Sequence, residues 1–276
     1  MRLELGERCY DLASRALVMG ILNRTPDSFY DRGRYWDMDA FFERAEQLVA
    51  EGADILDVGG VKAGPGPEVS EAEEADRVIP AVAELARRFD VPISVDTWRA
   101  SVAREAYRAG AVMGNDISGF ADTAYLDVAA EAGAAVVATH IRLAPRVPDP
   151  EPEYGDLVGE VCAFLAERAG RARAAGIPDT RIVVDAGLDL GKTAAQSAEL
   201  LRATDRLAAL GWPLLLSASN KTFLGVLFGL EVGERAEATV AAHAVGVSLG
   251  ARILRAHDVR SARRVADTIA AVLEAA

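Results

Sequence analysis

Three polar side chains interrupt otherwise apolar runs: Asp96 in PISVDT (92–97), Asn115 in AVMGNDI (111–117) and Asp185 in RIVVDAG (181–187). Each run reads as a strand buried on both faces, where a carboxylate or amide is costly without a partner. Three such residues facing one axis can read the donor edge of a flat heterocycle. A carboxylate accepts from ring N–H and exocyclic NH2 groups, and an Asn both donates and accepts. The competing reading of each alone is a helix cap or a satisfied strand-end hydrogen bond. A basic counterpart lies later in the chain, in Lys221, Arg255 and His257. Arg255 and His257 stand two positions apart, so on a strand they point to the same side. With Lys221 they could hold an oxyanion, phosphate being the best match. The alternative is a pair of ion pairs to Asp57 or Asp258.

The elements that must position these groups are legible as an alternation. Apolar runs at 16–22, 53–59, 92–97, 111–117, 134–140, 181–187, 213–219 and 251–258 read as strands. Amphipathic runs at 39–51, 70–89, 99–109, 122–132, 156–175, 194–210, 233–249 and 261–275 read as helices. Gly52, Gly110, Gly133, Gly176 and Gly250 stand where a left-handed residue closes a helix before the next strand. Eight strand–helix units predict an α/β chain folded as a (β/α)8 TIM barrel, with an open doubly wound sheet as the alternative. No linker or low-complexity tract divides residues 1–276, so one domain is expected. In such a barrel the C-terminal strand ends share one mouth. Asn23, Asp31, Asp57, Asp96, Thr97, Asn115, Asp116, His140, Asp185, Ser217, Ser219, Lys221, Arg255 and His257 all fall there.

Composition narrows the partner. The formal net charge of -12 argues against nucleic acid and against an anionic membrane surface. A small molecule is the expected partner, with any anion held in a local basic pocket. The two cysteines, Cys9 and Cys162, read as free thiols in a reducing compartment. The first residues, MRLELGERCYD, lack a signal-peptide pattern, and no apolar run approaches the ~20 residues of a membrane span. A cytoplasmic protein is expected. GLDLGKT (187–193) superficially suggests a phosphate-binding loop, but only three residues separate its glycines where that motif needs four. The acidic Asp189 inside it would also repel phosphate.

Taken together, MGILNRTPDSFYDRG (19–33), DVGG (57–60), SVDT (94–97), NDI (115–117), VVDAGLDLGK (183–192), SASNK (217–221) and RAHD (255–258) resemble the dihydropteroate synthase family in order and spacing. The resemblance implies a pterin-binding barrel. It implies a reaction in which 6-hydroxymethyl-dihydropterin pyrophosphate loses pyrophosphate and the cation is captured by p-aminobenzoate. It implies that Asp96, Asn115, Asp185 and Lys221 hold the pterin, and that Arg255 and His257 bind the phosphates. Asn23 would help bind Mg²⁺ and pyrophosphate, while Asp31 would join the metal site or steady the cation. The family's late helices form a homodimer interface, so a dimer is expected.

The resemblance breaks in the loop LDVGGVKAGPGP (56–67). The family continues after DVGG with Glu-Ser-Thr-Arg-Pro-Gly, whereas this chain has Val61, Lys62, Ala63, Gly64, Pro65 and Gly66. The Thr and Arg that line and close the aryl-amine site are gone, and loss of one preorganised charged donor costs ~10²–10³ in rate. Lys62, a point charge two positions away, is a poor bidentate substitute. The family's Gly-Phe-Gly-Phe-Gly-Lys turn is here Gly187, Leu188, Asp189, Leu190, Gly191 and Lys192, and its Ser-Arg-Lys is Ser219, Asn220 and Lys221. Arg24 and Arg32 replace small residues, and the Met beside His140 is absent. The expectation is a homologue that keeps the pterin pocket and phosphate anchors with little or no condensation activity. The alternatives are a working synthase compensated by Lys62, Arg24 or Arg32, and another pterin- or folate-binding transferase.

Overall fold

The eight apolar runs become eight parallel strands that close on themselves. The computed structural model describes residues 1–25, 37–64 and 66–275. An antiparallel hairpin, β1 (Arg2–Leu5) and β2 (Arg8–Asp11), comes first. The barrel strands follow: β3 (Leu17–Asn23), β4 (Ile55–Gly59), β5 (Ile93–Asp96), β6 (Met113–Asp116), β7 (Ala135–Thr139), β8 (Ile182–Asp185), β9 (Leu214–Leu216) and β10 (Ile253–Ala256). β10 pairs with both β3 and β9, which decides for the closed barrel over the open sheet.

The helices are α1 (Met38–Ala50), α2 (Glu71–Arg88), α3 (Ala100–Ala109), α4 (Tyr125–Ala132), α5 (Leu157–Ala174), α6 (Ala194–Arg202), α7 (Thr204–Ala208), α8 (Thr222–Phe228), α9 (Ala236–Ser248) and α10 (Val259–Glu274). All five glycines expected to close helices have positive φ. Three expectations need correction. The run 194–210 breaks into α6 and α7 at Ala203, where ψ turns positive and the Thr204 hydroxyl donates back to Leu201 O at 2.6 Å. The helix expected over 233–249 starts at Ala236, after a short 3₁₀ turn. Neither α8 nor the N-terminal hairpin was anticipated, because each is too short to show a clear period.

Strand alternation explains where the polar groups go. Inward-facing side chains at the lower end form one apolar cluster of Leu17, Met19, Ile55, Met113, Val137, Val183, Leu215 and Ile253, plugged from below by Leu3, Leu5 and Leu12. Two residues further along a strand the side chain faces the same axis again. So Ile55 is followed inward by Asp57, Met113 by Asn115, Val183 by Asp185 and Ile253 by Arg255. The interior is thus oily at the base and charged at the top. The outward faces, Val18, Leu56, Val58, Val95, Val136 and Val184 among them, pack into the larger cluster beneath the helices.

Candidate active site

The inward polar residues meet as one network. Arg255 Nε donates to Asp57 Oδ2 at 2.7 Å, and Arg255 Nη2 donates to Asp96 Oδ2 at 2.8 Å. Asn115 Nδ2 donates to the same Asp57 oxygen at 3.1 Å, and Asn115 stands beside Asp96 in register. Asp57 is fully buried, whereas the side chain of Asp96 keeps 14% exposure. Asp57 is therefore the backstop of the network and Asp96 its presented face. Burial raises the Asp96 carboxyl to about 7, against the pull of the Arg255 charge. The Arg255–Asp57 ion pair named as an alternative is present. Asp258 plays no part in it, because its carboxylate caps α10 through the Ser261 N–H.

Asp185 faces the same axis from β8 and accepts from Gly187 N at 2.8 Å; burial raises its carboxyl. Lys221 is half-buried on the loop after β9 and tempers that shift with its charge. His257 is held by Ser219: Nδ1 lies 2.9 Å from the Ser219 hydroxyl oxygen, which also accepts from the His257 backbone N–H at 3.1 Å. Burial first, and then the Arg255 charge, pull His257 down to about 3. That holds it as the neutral imidazole, so of the three basic residues named from the sequence Arg255 and Lys221 carry the charge. Asn23 ends β3 beside Gly59 in register. Asp31 and Arg32 lie outside the described residues, and no cluster of three His, Cys, Asp or Glu suited to a metal occurs among the described residues.

The turn after β8 is built with care. Gly187 has φ +64, and a Cβ there would lie 2.0 Å from His140 O, so only glycine fits. The Lys192 ammonium is buried inside the turn and donates to Gly187 O and Leu190 O, each at 2.9 Å; His140 Nδ1 lies at 2.9 Å. Burial and the Lys192 charge hold His140 down at about 3, so its imidazole is the acceptor. Its ring packs edge-on to Phe164 at 4.8 Å. His140 and Lys192 therefore clamp the turn. Burial draws Lys192 itself down to about 7, opposed chiefly by the Asp185 charge.

The divergent loop is anchored at both ends and bare at its tip. Arg77 Nη1 donates to Gly60 O at 2.9 Å, and Arg99 Nη2 donates to Val69 O at 2.7 Å. Behind these contacts, Arg99 pairs with the fully buried Glu74. A Cβ added at Gly64 would touch none of the described residues within 4 Å. Arg146, from the β7–α5 connection, donates across the mouth to Pro67 O. It lines a cavity of about 270 Å³ with Lys62, Arg77, Thr25 and Glu68. Sequence reasoning missed Arg146. Arg24, named there as a possible substitute, lies over the Phe41 ring at 5.3 Å in the helix layer.

Fold and site together define a (β/α)8 barrel whose mouth pairs a carboxylate–amide floor with a part-buried guanidinium. The chain belongs to the family of pterin binding enzymes, whose pattern it matches over residues 19–257. It is 45% identical to the inactive dihydropteroate synthase 2 of Mycobacterium leprae, over 94% of this chain and 91% of that protein. It is 41% identical to the dihydropteroate synthase of Synechocystis, over 95% and 92% of the respective chains. Among solved structures, the Yersinia pestis dihydropteroate synthase with a sulfonamide drug complex superposes with a TM-score of 0.95. That match has 37% identity and covers 99% of this chain and 100% of that one. The Xanthomonas albilineans enzyme with 4-aminobenzoic acid gives 0.90 at 39% identity, covering 99% and 98%.

Proposed function

We propose that this chain is a divergent dihydropteroate synthase homologue that binds a dihydropterin at the barrel mouth and condenses it with p-aminobenzoate poorly or not at all. The observation that carries the reading is the contrast within one mouth. The floor of Asp96, Asn115 and Asp185 is assembled and backed by Arg255, while the loop at Ala63 and Gly64 offers no polar side chain where a charge should close the site. The high identity to relatives named inactive supports the same reading.

Asp96, Asn115, Asp185 and Lys221 hold the pterin, the carboxylates accepting from its ring N–H and amino groups. Arg255 and the neutral His257 face the phosphates, with Arg255 supplying charge where pyrophosphate would depart. The donor set suits Mg²⁺ held through substrate phosphates, since Mg²⁺ keeps several waters and takes few protein ligands. Asn23 and Asp31 would hold it, and when bound it would neutralise developing phosphate charge. No helix among the described residues is long and apolar enough to cross a membrane, which fits a cytoplasmic site of action.

Calorimetry with 6-hydroxymethyl-dihydropterin pyrophosphate and Mg²⁺ should show saturable binding that Asp185→Asn weakens by ~10-fold or more, in line with loss of a charge-assisted hydrogen bond. Pyrophosphate release should stay near background with p-aminobenzoate present. Absence of binding would refute the retained pocket; steady turnover would refute the loss of activity. One observation favours the second reading, a working synthase. Arg146 reaches the loop from another connection and stands with Lys62 beside the gap. Turnover that Arg146→Ala abolishes would establish that reading.

The protein acts as a single-domain homodimer. Val226, Leu227, Phe228, Val245, Val272 and Leu273 are exposed apolar side chains on α8, α9 and α10. Val245, Val272 and Leu273 share α9 and α10 with a cavity of about 260 Å³ lined by Val240, Ala244, Val265 and Ile269. A second copy of the same face would cover them. Light scattering should give twice the 29.2 kDa chain mass; a monomer would overturn this.

A further inference from the structure

Lys221 stands at the N-cap of α8, a position where a side chain normally accepts from the first free N–H groups of the helix. A lysine has no acceptor, and its charge is misplaced at the positive end of a helix. The deficit is made good from elsewhere. The Asp189 carboxylate, on the turn after β8, accepts from Thr222 N at 2.5 Å through Oδ2 and from Phe223 N at 3.1 Å through Oδ1. The contact spans 33 positions of sequence. Asp189 is in turn fixed from behind, because its backbone N–H donates to the fully buried Ser197 hydroxyl at 3.1 Å. The turn that carries it is clamped by Lys192, and Tyr154 Oη donates to Gly191 O at 2.7 Å.

The backbone at Asp189 makes the arrangement more telling. Its φ is +67, a conformation glycine takes freely and a residue with a Cβ resists. Asp is among the few side chains that tolerate it. A carboxylate is thus kept at a strained position where its oxygens reach the start of α8. Asn220, just before Lys221, also has positive φ and is held by Thr239 Oγ1, which accepts from Asn220 N at 3.1 Å. Arg235 Nη1 donates to Asn220 O at 3.1 Å. The Lys221 backbone is therefore gripped on one side by α9 and its flank, and on the other by Asp189.

We propose that Asp189 is a positioning residue: it caps α8 from the neighbouring turn and so fixes the loop that carries Lys221 to the mouth, next to the strand that ends in Asp185. The assignment uses the pterin reading only for what Lys221 does, not for how it is held.

The test exploits composition, since the chain has three lysines, Lys62, Lys192 and Lys221. Trace acetylation of the full-length protein with acetic anhydride, read peptide by peptide by mass spectrometry, reports each amine separately. Asp189→Gly relieves the positive φ but removes the cap, whereas Asp189→Asn keeps an acceptor oxygen and tolerates the same backbone. In the Gly variant, acylation of Lys221 relative to Lys62 should rise about fivefold, the equivalent of a cap worth ~1 kcal/mol. The Asn variant should stay close to the parent. The Gly variant should also bind 6-hydroxymethyl-dihydropterin pyrophosphate about fivefold more weakly. Unchanged Lys221 labelling in Asp189→Gly, or an equal rise at all three lysines, would overturn the proposal. A parent that binds no pterin would remove the pocket reading while the labelling still decides the role of Asp189.

Discussion

Arg255→Met should destabilise the protein by about 3–5 kcal/mol, the usual consequence of removing one partner from a buried ion pair. Arg255 answers two carboxylates at once, at 2.7 Å and 2.8 Å, and one of them belongs to the fully buried Asp57. Without the guanidinium, Asp57 keeps only Asn115 on one oxygen, and its other oxygen already lacks a partner among the described residues. Urea titration of parent and variant measures the loss as a shift in midpoint at constant slope. The same variant should recover stability as pH falls. Asp96 sits at about 7 even with Arg255 beside it, well above an unperturbed carboxyl. Its folded form therefore takes up a proton before its unfolded form does. The stability linked to it is full below the unfolded value and is lost as pH rises through the folded one. Removing Arg255 raises the folded value further and widens that window, so the deficit should be smaller at pH 5 than at pH 8. Adding Asp57→Asn and Asp96→Asn should return part of the lost stability at neutral pH, and the coupling in the cycle should exceed ~0.5 kcal/mol. A deficit independent of both pH and the two substitutions would mean that Arg255 contributes packing alone.

The features that could be read in the sequence are the local and periodic ones. Asp57, Asn115 and Asp185 could be placed at one mouth because each follows an apolar residue by two positions on a strand, and period two needs no knowledge of the partner strand. The Arg255–Asp57 pair could be named only as one option, since phosphate and carboxylate make the same demand on a guanidinium. Charge state was harder. His257 looked cationic until burial and the neighbouring Arg255 made it neutral. The least legible contacts depend on the course of a connection over the barrel. Arg146 lies 79 positions from the carbonyl it meets, and Asp189 lies 33 from the helix it caps. Neither separation has a period, and Asp189 read from sequence alone suggested only repulsion of phosphate. A short helix such as α8 escaped notice because seven residues do not establish an amphipathic pattern.

Restoring Thr at 63 and Arg at 64 should raise pyrophosphate release in the presence of p-aminobenzoate by ~10²–10³ over the unmodified chain, the scale of one preorganised charged donor. The loop is suited to the experiment. Gly64 is not among the glycines with positive φ, and a Cβ there meets no described residue within 4 Å, so the backbone accepts a side chain. The loop ends are held independently by Arg77 at Gly60 and by Arg99 at Val69, so a change at the tip leaves the supports in place. Gly64→Ala, which fills the same space without charge, should give no gain and separates electrostatics from loop stiffening. A gain in the double variant would place the defect in those two residues. Equal turnover in the parent would instead show that Lys62 and Arg146 already supply the charge, and Arg146→Ala would then remove it. Silence in parent and variant alike, with pterin still bound, would move the limit to the other rewritten wall, the turn of Leu188, Asp189 and Leu190. There the chain has a carboxylate fixed on the N–H groups of α8, and that carboxylate would stand against any second substrate bearing a negative charge of its own.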